Sequence, residues 1–202
     1  MSVTDDIDIQ NVLELLAVPG EPGKESRIAG GVREKLLAMG VPAEAICSDQ
    51  AHRSSEIGGE TGNLIVRLEG RGQGERRMLS THLDTVPGAV GCKPRLAGDR
   101  VVNDAAGRAL GADARAGCAV LLAAARALLE LRGDHPPRTL VFFVQEEIGL
   151  VGARWLDVSM LGDPAPAMAF NFDGGDPAKI ATAIIGAERL HRPGRPRRGA
   201  RR

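Results

Sequence analysis

Four clusters of acidic and imidazole side chains each follow a short apolar run in this chain. They are His82 and Asp84 in LSTHLDTVPG, Asp113 in LGADARAG, Glu146 and Glu147 in FFVQEEIGLVG, and Asp173 in FNFDGGDP. Imidazole nitrogen and carboxylate oxygen are the donors that zinc and similar divalent cations use. The chemistry such a set points to is metal-assisted hydrolysis. Each cluster has a plainer reading when taken alone. His-x-Asp can be a loop histidine paired with a nearby acid, Glu-Glu a solvated strand end, Asp113 a helix N-cap and Asp173 an ordinary turn acid. Read functionally, His82 binds a metal and Asp84 orients its imidazole. Adjacent Glu146 and Glu147 can divide the labour, one binding a metal and the other taking a proton from water. The joint occurrence of the clusters after successive strands favours the functional reading.

The elements that must position these groups alternate. An apolar helical stripe runs from about Asp6 to Ala17 (Ile7, Ile9, Val12, Leu13, Leu15, Leu16) and PGEPG stops it. A second helix is predicted from about Glu25 to Met39, with Gly40 as its C-cap. NLIVRL, from Asn63 to Leu68, reads as a strand, RGQGE as a turn and Arg77 to Thr81 as the next strand. Cys92 to Asn103 looks like a short β-excursion. An Ala- and Leu-rich helix then spans Ala116 to Leu131, and a buried strand spans Thr139 to Val144. A short helix from about Gly149 to Leu156 precedes a strand from Ala167 to Phe172. Continuous apolar strands separated by helices predict an α/β fold with a mostly parallel central sheet covered by helices on both faces. In such sheets, sites form beyond the carboxyl ends of the strands. His82, Glu146, Glu147 and Asp173 all fall there, and Asp113 lies just before a helix, where the macrodipole tolerates an anion.

Composition bounds the alternatives. The chain has 202 residues, 43% hydrophobic and 26% charged, which suits one α/β domain. Aromatics are 2% with no Tyr, which disfavours base-stacking or sugar-platform functions, and no nucleic-acid partner is expected. Cys47, Cys92 and Cys118 are odd in number and widely spaced, against a disulfide framework or a cysteine zinc site. No basic start leads into an apolar stretch and no run approaches a membrane span, so a cytoplasmic location away from membranes is expected. The formal charge of zero is split, because residues 189 to 202 carry seven Arg and no acid while residues 1 to 188 carry −7.

THLDTVPG, LGADARAG, EEIGLVGA and FDGG, in that order, resemble the catalytic domain of the co-catalytic zinc peptidases. That family includes peptidase T, aminoacylase, succinyl-diaminopimelate desuccinylase and glutamate carboxypeptidase. The likeness covers roughly residues 8 to 188, and EEIGLVGA is nearest to peptidase T. The resemblance implies a site for two divalent metals, Zn²⁺ first, with Co²⁺ or Mn²⁺ also compatible. By it, His82 binds one metal, Asp113 bridges both, Asp173 completes the His82 site and Glu147 binds the other metal. Glu146 is then the general base and Asp84 the partner of His82. Relatives often have a cis peptide after the bridging Asp, here the bond from Asp113 to Ala114. The substrate implied is a small peptide or an N-acyl amino acid.

The C-terminal part departs from the family. Relatives continue into a lid or dimerisation domain, then return with further strands and a final histidine that ligates the Glu147 metal. Here IIGAERL runs into HRPGRPRRGARR, and His191 follows Asp173 too closely for that role to be carried onto it. Residues 1–188 therefore read as a partial catalytic domain, and residues 189–202 as an Arg/Pro/Gly-rich disordered tail. A frameshifted or truncated product is the preferred explanation, ahead of a basic nucleic-acid arm or a solubilising tail. The second metal site is expected to be incomplete and the family's usual dimer surface absent. The alternative function is a catalytically incompetent fragment, or a metal-binding subunit that needs a partner.

Overall fold

The computed structural model describes residues 3–176 and 178–183; His191 and the basic tail lie outside them. Two helices lead. The helix α1 (Val3–Ala17) buries Leu15 and Leu16, and α2 (Ser26–Ala38) buries Ile28, Ala29, Val32 and Leu36 along one stripe. Gly40 ends α2 as expected. Its φ is +98°, its N–H donates to Leu37 O, and Val41 N donates to Leu36 O, the paired bonds of a Schellman cap.

The central sheet has five strands: β1 (Ile46–Ser48), β2 (Leu64–Leu68), β3 (Arg77–His82), β6 (Arg138–Phe143) and β7 (Met168–Asn171), in the spatial order β1-β2-β6-β3-β7. Between β3 and β6 the chain makes a separate hairpin of β4 (Pro94–Ala97) and β5 (Arg100–Asn103), then α3 (Ala112–Glu130). A short α4 (Val151–Arg154) precedes β7. The strands β6, β3 and β7 run parallel, whereas β2 is antiparallel to β6 and β1 to β2. The sheet is thus mixed, and parallel in the half that carries the clusters.

Only β2 runs against the other four strands, as a mostly parallel sheet allows, and its direction has a local cause. The link between β2 and β3 contains no helix to reverse the chain, yet the two strands are not neighbours, because β6 lies between them. The link crosses the entry to β6 in close contact with it: Arg71 N donates to Gly133 O at 2.8 Å and Gly72 N to His135 O at 3.0 Å. A Cβ on Gly70 would sit 1.7 Å from His135 O, so this crossing requires glycine. Arg76 fixes the return. It is buried, binds Glu69 through two hydrogen bonds at 2.8 and 2.6 Å, and donates to Pro164 O and Thr139 Oγ1.

The helices are unevenly shared between the faces. One core joins α1, α2 and α3 to Leu64, Val66, Leu140 and Phe142, with Cys118, Leu121 and Leu122 of α3 fully buried. Each such leucine contributes about 1.5–3 kcal/mol. Across the sheet, Ile65 and Val141 meet a smaller cluster around Leu156, Met160 and Leu161. Every residue of β7 is exposed, including Met168 and Phe170. Cys47, Cys92 and Cys118 are free thiols, and no helix among the described residues is long and apolar enough to cross a membrane.

Candidate metal centre

The parallel register brings the clusters to one rim. His82 pairs with Phe143 across β3 and β6, so the loops that follow the two strands start side by side. Leu83 N extends that ladder to Phe143 O at 2.7 Å. On the other side Ser80 pairs with Asn171, and Ser80 Oγ donates to Asn171 Oδ1 at 3.0 Å, which sets Asp173 just beyond the end of β7. The third wall is the start of α3. Gly117 packs so closely on β3 and β7 that a Cβ there would lie 2.2 Å from Thr81 Oγ1 and 2.4 Å from Phe172 O. Cys118 Sγ donates to His82 O at 3.2 Å.

Asp113 precedes the regular part of α3. Its own φ and ψ and those of Ala114 are non-helical, and the bond between them is cis, the form that the resemblance implies.

These elements place His82, Asp113 and Asp173 together, each offering one donor atom within 4.8 Å of the others. His82 is buried. Its Nδ1 lies 3.0 Å from the backbone carbonyl of Asp84, which can only accept, so Nδ1 carries the hydrogen and Nε2 is left to face the cluster. Nε2 is 3.1 Å from Asp113 Oδ1 and 3.9 Å from both Asp173 Oδ1 and Glu146 Oε2. Two donors on one tetrahedral zinc ion, each about 2.0–2.2 Å from it, are roughly 3.3 Å apart. The observed spacing suits a single shared cation with little adjustment. Glu147 lies outside that group of three.

The electrostatics are those of a site crowded with negative charge. Burial, then the hydrogen bond and charge of Asp173, raise the Asp113 carboxyl above its usual range. Glu146 is raised by burial and by the charges of Asp173, Asp84 and Glu147. Glu147 is raised by burial and then by the charge of Asp113. For His82, burial acts downward, but the Asp84 hydrogen bond and the charges of Asp84, Asp173 and Glu146 outweigh it and hold the imidazole up to about 9. A proton on His82 and protons on the carboxyls relieve the same excess of negative charge that a divalent ion would relieve.

Asp84 does more than the sequence reading assigns to it. Its carboxylate is fully buried and sits 3.4 Å from His82 Nδ1, farther than its own backbone carbonyl. Its oxygens instead accept Glu146 N at 2.9 Å and Glu147 N at 3.1 Å, fixing the loop that carries both glutamates. That loop leaves β6 through Gln145 at φ +53°.

Two groups that matter to this loop escaped the sequence reading. Glu25, fully buried, accepts Gln145 N at 3.0 Å and Gly23 N at 2.9 Å, and burial pushes its carboxyl up to about 7. Asn63 accepts Val144 N at 3.0 Å and donates to Gly152 O at 2.8 Å, tying the end of β6 to α4. No local motif marks either residue.

Beside the cluster, a cavity of about 180 Å³ is lined by His82, Phe143, Glu146, Leu150, Asn171 and Asp173 among others. A larger one of about 630 Å³, bordered by Arg67, Leu68, Leu128 and His135, lies at the opposite end of the sheet, where Leu68 pairs with the first residue of β6. The smaller cavity is the one that adjoins the chemistry.

A cluster that could hold a metal ion thus lies at one rim of an α/β domain, beyond the carboxyl ends of its parallel strands. Comparison with known proteins agrees, and the chain belongs to the family described as Peptidase family M28, whose profile matches residues 63–191. It is 30% identical to the YqjE protein of Bacillus subtilis over 179 residues, 89% of this chain and 45% of that one. Among solved structures it is similar to a tripeptidase from Staphylococcus aureus, with 27% identity and a TM-score of 0.74. It is also similar to the aminopeptidase PepT from Bacillus cereus, with 28% identity and the same TM-score of 0.74. Each of those two alignments covers 85% of this chain and 44% of the other. The chain spans a little under half the length of the relatives it matches.

Proposed function

We propose that this chain carries the metal-binding core of a peptidase that hydrolyses small peptides or N-acyl amino acids. The observation that carries the reading is the convergence of His82 Nε2, Asp113 and Asp173 on one point, with Glu146 beside them at the cavity. The donor set fits a divalent cation such as Zn²⁺, Co²⁺ or Mn²⁺ in charge and spacing. His82, Asp113 and Asp173 hold the first ion, and Asp113 with Glu147 begins a site for a second. When bound, the ions supply Lewis acidity that eases deprotonation of water and polarises the scissile carbonyl.

The protein's own groups do the rest. Asp84 keeps the His82 ring turned so that Nε2 faces inward, and through two backbone N–H groups it holds Glu146 and Glu147 in place. Glu146 Oε2 takes the proton of the attacking water and returns it to the leaving amine. A general base of this kind contributes about 10²–10⁴ in rate. Phe143 and Leu150 give the cavity apolar walls beside the acids. The names of the tripeptidase and PepT support a short peptide with a free amino end as the first substrate to try.

A second reading rests on Glu147. Among the described residues, one group of three potential ligands forms, and Glu147 is not in it. A chain that binds one ion tightly, and turns nothing over without a partner to complete the Glu147 site, would have this geometry. Metal stoichiometry by equilibrium dialysis, with hydrolysis of di- and tripeptides, separates the two. Two ions per chain and turnover that Glu146→Gln lowers at least 100-fold, with metal content unchanged, support the enzyme. Turnover unaffected by Glu146→Gln removes Glu146 as the base, and one ion with no turnover leaves the metal-binding subunit.

A further inference from the structure

The turn after α1 makes contacts that reach all of the loops around the cluster except that of Asp173. Gly20 O accepts two donors: Thr85 N at 3.0 Å, one residue past Asp84, and Arg115 Nη2 at 3.3 Å, two residues past Asp113. Five residues on, Glu25 Oε1 accepts Gln145 N, the residue before Glu146. Three stretches far apart in sequence, 84–85, 113–115 and 145–147, are thus tied to one short segment, residues 20–25. Gly20 is forced by this arrangement, since a Cβ there would lie 2.5 Å from Arg115 Nη2 and 3.0 Å from Ile28 Cγ2.

Arg115 and Glu25 are both fully buried. Arg115 Nε and Nη1 and Glu25 Oε2 have no protein hydrogen-bond partner among the described residues. What ties them to the site is their hydrogen bonds, Arg115 to Gly20 O and Glu25 from Gly23 N and Gln145 N. Neither residue belongs to the ligand cluster, so their burial has another use.

We propose that Glu25 and Arg115 are positioning residues: with Gly20 they form a buried brace behind the metal centre that fixes the Asp84, Asp113 and Glu146–Glu147 loops relative to one another. The geometry gives the brace its consequence. An imidazole and carboxylates converge on a cation with spacings of a few tenths of an ångström to spare, and loops that drift apart lose affinity even though every ligand is retained. This inference rests on the proposed metal site for its functional value, but the brace is a property of the protein itself and can be read without metal.

The test uses the full chain, with Mn²⁺ and Zn²⁺ as probes, at a temperature where every variant compared is folded by near-UV circular dichroism. In the metal-free chain, Glu25→Ala should speed amide exchange at least tenfold at Gln145, Glu146 and Glu147, and also at Thr85, which Glu25 does not touch. Glu25→Gln, which keeps an oxygen for Gly23 N and Gln145 N, should restore protection close to that of the unaltered chain. Competition with a chromophoric chelator should give at least tenfold weaker binding for Glu25→Ala, and binding within about threefold of the unaltered chain for Glu25→Gln. Exchange accelerated at Gln145 alone, or a folded Glu25→Ala chain that binds metal as tightly as the original, overturns the brace. Should Glu25→Ala fail to fold, the unaltered chain decides: added metal must slow exchange at Gly23 and Thr85 as well as at Glu146 and Glu147, and protection confined to the two glutamates refutes it. Absence of metal binding in the unaltered chain would count against the proposed function, while the metal-free exchange comparison would still decide the brace.

Discussion

Replacing Asp84 by Asn keeps the shape of a fully buried side chain and changes its chemistry at three contacts. The carboxylate accepts Glu146 N at 2.9 Å and Glu147 N at 3.1 Å and lies 3.4 Å from His82 Nδ1. An amide offers one oxygen and one NH₂, so one of the two glutamate N–H groups must face a donor. Losing one hydrogen bond to a charged acceptor in a buried setting costs about 1.5–3 kcal/mol, with no cavity term because the volume is unchanged. The same substitution removes a negative charge beside His82 and loosens the Glu146–Glu147 loop. Changes of this kind around a metal lower affinity about 10–100-fold, or roughly 1.4–2.7 kcal/mol. Urea denaturation of the metal-free chain should read the first and chelator competition for Zn²⁺ the second. A variant with unchanged midpoint and unchanged Zn²⁺ affinity would refute the role given to Asp84. Lost stability with unchanged affinity in the folded fraction would confine that role to the fold.

Metal binding should depend on pH with a defined sign. His82, held up to about 9, must lose its proton before Nε2 can donate, so apparent Zn²⁺ affinity should rise about tenfold per pH unit between roughly 6.5 and 9, releasing a proton that calorimetry in buffers of different ionisation enthalpy will count. The same shift acts oppositely on the metal-free fold. A folded-state pKa above the unfolded value of 6.5 stabilises fully below that pH and is lost as pH climbs through about 9, so the urea midpoint of the metal-free chain should fall across that window. Gly70→Ala, far from the metal, should destabilise by about 1–3 kcal/mol or more through the 1.7 Å approach to His135 O, while leaving metal affinity per folded chain unchanged. Equal loss of affinity would contradict the separation of the two ends of the sheet.

Much of the site was legible because its residues follow apolar runs. The strand expected from Arg77 to Thr81 ends at His82, the one from Thr139 to Val144 is Arg138–Phe143, and both deliver their acids to the same rim. Gly40 closes α2 and the β-excursion is the β4–β5 hairpin, each by local turn chemistry. Strand order was not legible. The strand β1 is three residues long, and the direction of β2 depends on glycine contacts with a segment 60 and more residues away. Nor could periodicity show that the helices crowd one face. Glu25 looked like the start of a helix because that is also what it is; its second use, as an acceptor for Gln145, exists only after folding.

Asp173 stands apart from the other members of the cluster, His82 and Asp113, in how it is held. Its strand, β7, is bonded to β3 through four residue pairs, exposes every side chain, and among the described residues has no tie to the brace. Local opening free energy should be lowest there. If Asp173 binds a cation, capture and strand docking are a single linked equilibrium in which the ion would act as a clasp: metal concentration would set how often β7 is seated, and anything that seats β7 more firmly would raise the apparent affinity by the same factor.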